Sequence, residues 1–145
     1  MSMVDVSAKP KVYREAKAKG LIKLKPETLK LIRKGQVEKG DVFSVAKVAG
    51  ILAAKNTCNL IPLCHPLPLT NVELDLKTVA DGIEVKSTVK TKAQTGVEME
   101  ALVAVSVALL AVWDMIKQYE KDRFGQYPST VIENVHVISK IKKGS

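Results

Sequence analysis

Cysteine is scarce. Cys58 and Cys64 are the only thiols in 145 residues, too few for a disulfide framework, so a reducing compartment and a cytoplasmic location are expected. Aromatic residues make up only 4% of the chain. The segments read below as strands, Val72 to Thr91 and Thr130 to Ile141, contain none of them. An RNA-binding sheet stacks bases on such rings, so a nucleic-acid partner is not expected. Long hydrophobic runs are missing as well. The longest, Ala101 to Trp113, is interrupted only by Ser106 and falls short of the ~20 residues of a membrane span. Met1 to Lys11 has no apolar stretch of signal-peptide length. No glycine-rich phosphate loop is present. Acidic residues are outnumbered, 15 against 23 Lys plus Arg, leaving a net charge of +8. That balance points to an anionic partner.

What is present is globular composition: 46% hydrophobic and 26% charged residues. No repeat, linker or low-complexity segment divides the chain, so a single domain over residues 1–145 is expected. Arg14 to Leu24 reads as a first strand, basic and only partly alternating. Pro26 stands where a helix would begin, and Glu27 to Lys34 supplies two turns ending at Gly35. Asp41 is placed as the N-cap of a helix from Val42 to about Asn56. Ala46, Ala49, Gly50, Ala53 and Ala54 would let another element approach that helix closely. Pro62, Pro66 and Pro68 make Ile61 to Leu69 a shaped loop.

Two runs with period-two alternation follow. They carry Val72, Leu74 and Leu76, then Ile83, Val85 and Val89, with Asp81-Gly82 between them as the turn of a hairpin. Thr95 to Lys121 reads as a long helix with a capping box, Thr95 at N-cap and Glu98 at N3. Its middle is apolar nearly all round, so it needs cover on a second side, most simply from another subunit. A last strand, about Thr130 to Ile141, has Val131, Val135, Val137 and Ile141 at one parity. Strand, two helices, hairpin, long helix and strand give an α+β, ferredoxin-like split βαβ fold. Its four-stranded antiparallel sheet would carry helices on one face.

Four groups of polar residues are candidates for chemistry. His65 lies in Pro62-Leu63-Cys64-His65-Pro66, where flanking prolines restrict it, although a turn histidine bonded to backbone is the commoner outcome. Cys58, Cys64 and His65 match no common zinc spacing, and no metal site is expected. In Gly96-Val97-Glu98-Met99-Glu100, simple capping accounts for Glu98 but not for Glu100, which points to nearly the opposite side of the helix. Asp114 and Lys117 share a helix face just after the apolar run, where an ordinary pair is a weak surface bridge. Arg14, Lys39, Lys92, Lys140, Lys142 and Lys143 are singly surface charges but jointly able to hold a triphosphate. Lys39 also sits at a helix N-terminus, against the helix dipole, which hints at a bound anion.

These groups, with Met3-Val4-Asp5-Val6-Ser7, Lys39-Gly40-Asp41-Val42-Phe43, LIPLCHPL (60–67), TGVEMEAL (95–102) and Trp113-Asp114-Met115, resemble the cyclic pyranopterin monophosphate synthase family (molybdenum cofactor biosynthesis protein C). The resemblance covers about residues 3 to 125. It implies conversion of a cyclised dihydro-GTP, a purine-derived triphosphate, into a pyranopterin with a cyclic phosphate while pyrophosphate leaves. It also implies a ferredoxin-like fold and a homohexamer built as a trimer of dimers, with active sites at the dimer interface. By position, Asp114 and Lys117 match the family's catalytic pair and Lys39 a further lysine of the pocket. Leu63, Cys64 and His65 match the substrate loop, and Met99 and Glu100 match a second substrate contact beside Glu98. Arg14 matches a basic residue near the phosphates, and Lys140 a C-terminal lysine. No tightly bound cofactor is implied; Mg²⁺ is compatible with the substrate triphosphate.

Two departures stand out. The family commonly ends in a Lys-Ser-Gly-Gly-Lys type segment where this chain has Lys140-Ile141-Lys142-Lys143-Gly144-Ser145, so Lys142 or Lys143 could share the role of Lys140. Gln94 stands where a basic residue is expected. The rival readings are a basic RNA-binding domain, which the aromatic-poor strands disfavour, and an inactive scaffold. A scaffold has no use for Lys39, His65, Glu100, Asp114 and Lys117 together.

Overall fold

In the computed structural model, which describes residues 1–144, strand β1 (Val12–Lys23) alternates without a break. Val12, Arg14, Ala16, Ala18, Gly20 and Ile22 face inward. The small residues on that face are what the fold requires. A Cβ on Gly20 would lie 2.8 Å from Leu109, 2.9 Å from Val135 and 3.0 Å from Val105. The bare glycine therefore lets a helix settle onto the strand.

Helix α1 (Pro26–Arg33) starts on its proline, and α2 (Val42–Lys55) is capped as expected, with the Asp41 carboxylate accepting from Phe43 N and Ser44 N. A short helix α3 (Thr57–Leu60), which the sequence did not announce, leads into the proline loop. Strands β2 (Leu69–Val79) and β3 (Gly82–Ala93) form the hairpin. Its two-residue connection is Ala80-Asp81, and Gly82 already pairs with Val79. Gly82 is needed for a different reason than a turn: any Cβ there would collide with the carbonyl oxygen of Ile22 on β1.

Helix α4 (Glu98–Glu120) and strand β4 (Val131–Lys143) complete a sheet of order β2-β3-β1-β4, with every neighbouring pair antiparallel. This is the ferredoxin-like arrangement. Helix α4 lies across β1, β3 and β4, and α2 packs against α4 and β2. A Cβ on Gly50 of α2 would stand 3.0 Å from the carbonyl oxygen of Ala104 and 2.9 Å from Leu74, so the small residues of α2 serve the close approach expected of them. The core holds Ile22, Ile83, Val85 and Val89 from the sheet with Val105, Leu109, Val112 and Ile116 from α4. By length and composition α4 could cross a membrane. Here it is the central core helix, with eleven of its residues buried.

Two expectations need correction. The capping box does not form: the N-cap of α4 is Val97, without a side-chain cap bond, and Glu98 is the first helical residue. The Glu98 carboxylate instead folds back against Gly96, leaving no room for a side chain there. The single parity assigned to the last strand also fails. The β1–β4 register shifts twice, and Asn134 has φ of 58°, a conformation asparagine tolerates better than most residues. Each bulge inserts a residue and flips the faces. Ile132 and Val135 therefore pack on the core, while Val131 and Ile141 are exposed.

A buried carboxylate ties the layers together. Glu120, the last residue of α4 and fully inaccessible, accepts from Lys25 N at 3.1 Å, from Thr28 Oγ1 and from Thr130 Oγ1 at 2.6 Å. It fastens the start of α1 and the residue before β4 to the end of the core helix.

Candidate active site

The predicted residues gather at the two ends of α4. At its C-terminal end, helical spacing puts Asp114 and Lys117 on one face, and Lys117 Nζ donates to Asp114 Oδ1 at 2.9 Å. Lys39 arrives from the α1–α2 connection. Its Nζ donates to the main-chain oxygen of Asp114 at 2.9 Å and lies 3.4 Å from Oδ2. The position of Lys39 against the α2 dipole is thus offset within the chain by an acidic and a carbonyl oxygen of α4, so no bound anion is needed to account for it.

The arrangement fixes charge. The hydrogen bond from Lys117, then the charges of Lys117 and Lys39, hold the Asp114 carboxyl below its ordinary pKa. The Asp114 hydrogen bond and charge push the Lys117 ammonium above its own. Asp114 is therefore an anion and Lys117 a proton-bearing cation throughout the neutral range. Trp113 and Tyr127, with ring centroids 5.1 Å apart, wall a shallow cavity of about 430 Å³ beside the pair. Sequence reasoning missed Tyr127. It lies beyond the helix in a segment without periodicity, so nothing declared that the chain doubles back there.

At the N-terminal end of α4, Leu63, Cys64, His65, Glu98, Met99 and Glu100 line one cavity of about 460 Å³ with Val4, Val6 and Thr95. The proline loop and the helix start thus converge as the sequence suggested. His65 Nε2 lies 2.7 Å from the carbonyl oxygen of Val4, so the N-terminal segment borders the same space. Glu100 is 4% exposed and contributes to a second small cavity with Cys58 and Pro66. Burial raises its pKa above the usual carboxylate range, and the nearby Glu98 charge adds to the effect. Burial likewise pushes the Cys64 thiol up, with smaller contributions from Glu100 and Cys58. This thiol stays protonated near neutral pH and is a poor nucleophile.

The basic residues divide. Arg14 is buried, and its guanidinium donates from Nε to the carbonyl oxygen of Ala93 at 3.1 Å and from Nη2 to that of Gln94 at 3.2 Å. In this structure it holds the segment that leads into Thr95-Gly96. Register places Lys140 opposite Ala16 and Lys142 opposite Arg14, on the helix-bearing face, with Lys143 opposite Tyr13 on the other. Of the two tail lysines, Lys142 is the one that shares a face with Lys140. Lys92 faces Tyr13, away from the helices. A further cavity, about 550 Å³ near Ile32, Arg33, Val37 and Phe43, holds none of the predicted residues.

The two clusters remain separate. Glu100 and Asp114 are set on one helix at 1.5 Å per residue, about 21 Å apart along its axis. A single copy of the chain presents two separate clusters.

Comparison with known proteins agrees with the resemblance carried by the motifs. Residues 3–144 match the MoaC family. Proteins named probable cyclic pyranopterin monophosphate synthase are similar over nearly the whole chain. That of Saccharolobus solfataricus is 57% identical over 141 residues, covering 97% of this chain and 95% of the relative. That of Pyrococcus horikoshii is 57% identical, covering 98% and 89%. That of Aeropyrum pernix is 58% identical, covering 97% and 96%.

Proposed function

Because this chain belongs to the MoaC family, we propose that it is a cyclic pyranopterin monophosphate synthase of molybdenum cofactor biosynthesis. It converts 3′,8-cyclo-7,8-dihydro-GTP into cyclic pyranopterin monophosphate and releases pyrophosphate. The observation that carries the reading is the placement of Asp114 between Lys117 at 2.9 Å and Lys39 at 3.4 Å. Opening the five-membered ring and closing a pyran both move protons, and closing the cyclic phosphate expels an anion.

In this reading Lys117 is the catalytic acid. Its raised pKa keeps a proton available for the opening ring, and Asp114 orients it and balances its charge. Lys39 adds a second cation where negative charge develops. The side chains of Leu63, Cys64, His65, Glu98, Met99 and Glu100 hold the purine-derived end. Lys140, with Lys142 beside it on the same face, meets the phosphates, and Arg14 shapes the segment below them. The protein contributes no tightly bound metal to this scheme; any Mg²⁺ enters with the triphosphate.

The split of these groups between the two ends of α4 supports a site completed by a second copy. Val45, Val48 and Leu52 line an exposed apolar stripe on α2, and Leu110 is exposed on α4. Burying those residues against a partner would be favourable. Two chains with their α4 helices antiparallel would bring the Asp114 end of one to the Glu100 end of the other. The assembly proposed is a trimer of such dimers in the cytoplasm, without nucleic acid or membrane as partner.

The test is turnover. Purified protein given freshly made cyclised dihydro-GTP should release pyrophosphate and cyclic pyranopterin monophosphate in equal amounts. Folded, assembled protein that forms neither would overturn the reading.

A further inference from the structure

Lys39 reaches Asp114 from an exposed connection, Lys34 to Asp41, whose backbone has two left-handed glycines. Gly35 has φ of 65° and Gly40 φ of 116°, and a side chain on either would meet nothing within 4 Å. These glycines are required by conformation rather than by packing, and they flank the lysine with the most permissive residue type. Left to itself, such a loop would spread a long, rotamer-rich side chain over many positions. Something has to hold it.

Two groups on the last turns of α4 do. The Tyr119 hydroxyl accepts from the backbone N–H of Glu38 at 2.9 Å, and Gln118 Nε2 donates to Glu38 Oε2 at 3.0 Å. The Tyr119 ring packs against the hydrophobic core, so its hydroxyl is an anchored point. Val37 is buried on the other side of Glu38. The residue immediately before Lys39 is thereby pinned at its main chain and at its side chain to the helix that carries Asp114 and Lys117. Lys39 is then left only its own side-chain rotamers to search. Neither Tyr119 nor Gln118 lines the cavity beside Asp114, so their contribution passes through Lys39.

We propose that Tyr119 and Gln118 are positioning residues that clamp Glu38 and so set the Lys39 ammonium on Asp114. This deepens the reading of the site as a synthase centre and rests on it for the catalytic consequence, while the positioning itself is measurable without substrate.

The readout is the titration of the Asp114 carboxyl, followed by carbon NMR on aspartate-labelled, assembled protein. The charged groups facing Asp114 are Lys39 and Lys117; Tyr127 in turn faces Lys117. Removing Lys39 in Lys39→Ala takes away one of the two cations that depress the carboxyl, so its pKa rises. Tyr119→Phe, which deletes only the hydroxyl, should move it in the same direction by a smaller amount, and Gln118→Ala, at an exposed position, likewise. Introduced into Lys39→Ala, neither substitution should move it further.

Turnover should fall roughly three- to tenfold in Tyr119→Phe, the factor set by loss of one ordinary hydrogen bond. That loss should be absent when Lys39 is already alanine. An unchanged Asp114 titration in folded Tyr119→Phe and Gln118→Ala proteins would overturn the proposal, and so would a rise that persists without Lys39. If wild-type protein makes no product, the synthase reading fails, and the titration still decides whether Tyr119 and Gln118 position Lys39.

Discussion

Lys117 donates to Asp114 across 2.9 Å, and the contact sets the protonation state of both partners. With Asp114 held low and Lys117 held high, the pair keeps its charges from the ordinary aspartate value of about 3.9 to the ordinary lysine value of about 10.4. Its contribution to folding is present across that window. It is lost as pH falls through the Asp114 pKa or rises through that of Lys117. Lys117→Ala and Asp114→Asn should each lower turnover by roughly 10²- to 10⁴-fold, the range of a missing acid–base group. Assembly measured by light scattering should be unchanged, because the pair is exposed. Near-normal turnover in Lys117→Ala would remove it from the mechanism.

Glu100 behaves in the opposite sense. Its carboxyl is raised by burial, so ionising it in the folded chain costs stability, increasingly as pH rises above the free glutamate value of about 4.3. Glu100→Gln should therefore melt higher than wild type at pH 7, and the difference should shrink toward pH 4. Turnover should fall in the same variant, as when a functional site has been kept at the expense of stability. Scanning calorimetry at the two pH values checks the first half. A lower melting temperature at pH 7 would mean that Glu100 is chiefly a structural partner.

The proposed meeting of opposite ends of α4 from two copies predicts complementation. His65→Ala disables one end and Lys117→Ala the other, so each homogeneous protein should be inactive. Unfolded together in equal amounts and refolded, they should regain roughly a quarter of wild-type activity. Half the dimers are then mixed, and each mixed dimer carries one intact site of two. No recovery from a properly assembled mixture would place the whole site within a single chain.

Glu120 carries a stability prediction. Glu120→Ala leaves the donors of Lys25 N, Thr28 and Thr130 without their carboxylate, at a cost of ~3–5 kcal/mol. Urea unfolding would report it as a lower midpoint with little change in slope. A shift under ~1 kcal/mol would mean that water replaces the carboxylate freely.

Much of this architecture could be read from residue order. The hairpin followed from strict alternation in Val72 to Lys77 and Ile83 to Lys90, and the cap of α2 from Asp41. The pairing of Asp114 with Lys117 followed from helical spacing alone, which fixes neighbours three apart. What escaped depends on residues distant in sequence. Glu120 looked like one more charged residue at a helix end, because its three donors come from two other segments. Lys39 looked unfavourably placed because the helix it faces, α4, is far along the chain. The last strand was misassigned because a bulge changes parity without changing composition: Asn134 alone signalled it, and asparagine is common in turns. The site motifs named candidate residues, but not that one copy keeps Glu100 and Asp114 about 21 Å apart.

Strand β4 closes one side of the sheet with a run of 13 residues, long enough for its free edge to recruit a strand from any passing chain. Its two register shifts interrupt the row of outward N–H and C=O groups, and Lys140, Lys142 and Lys143 crowd its far half with like charge. A second strand laid along it would find bonding partners only in fragments and would have to approach three ammonium groups. The irregularity that hid this strand's facing from the sequence thus makes the β4 edge a poor template for an added strand.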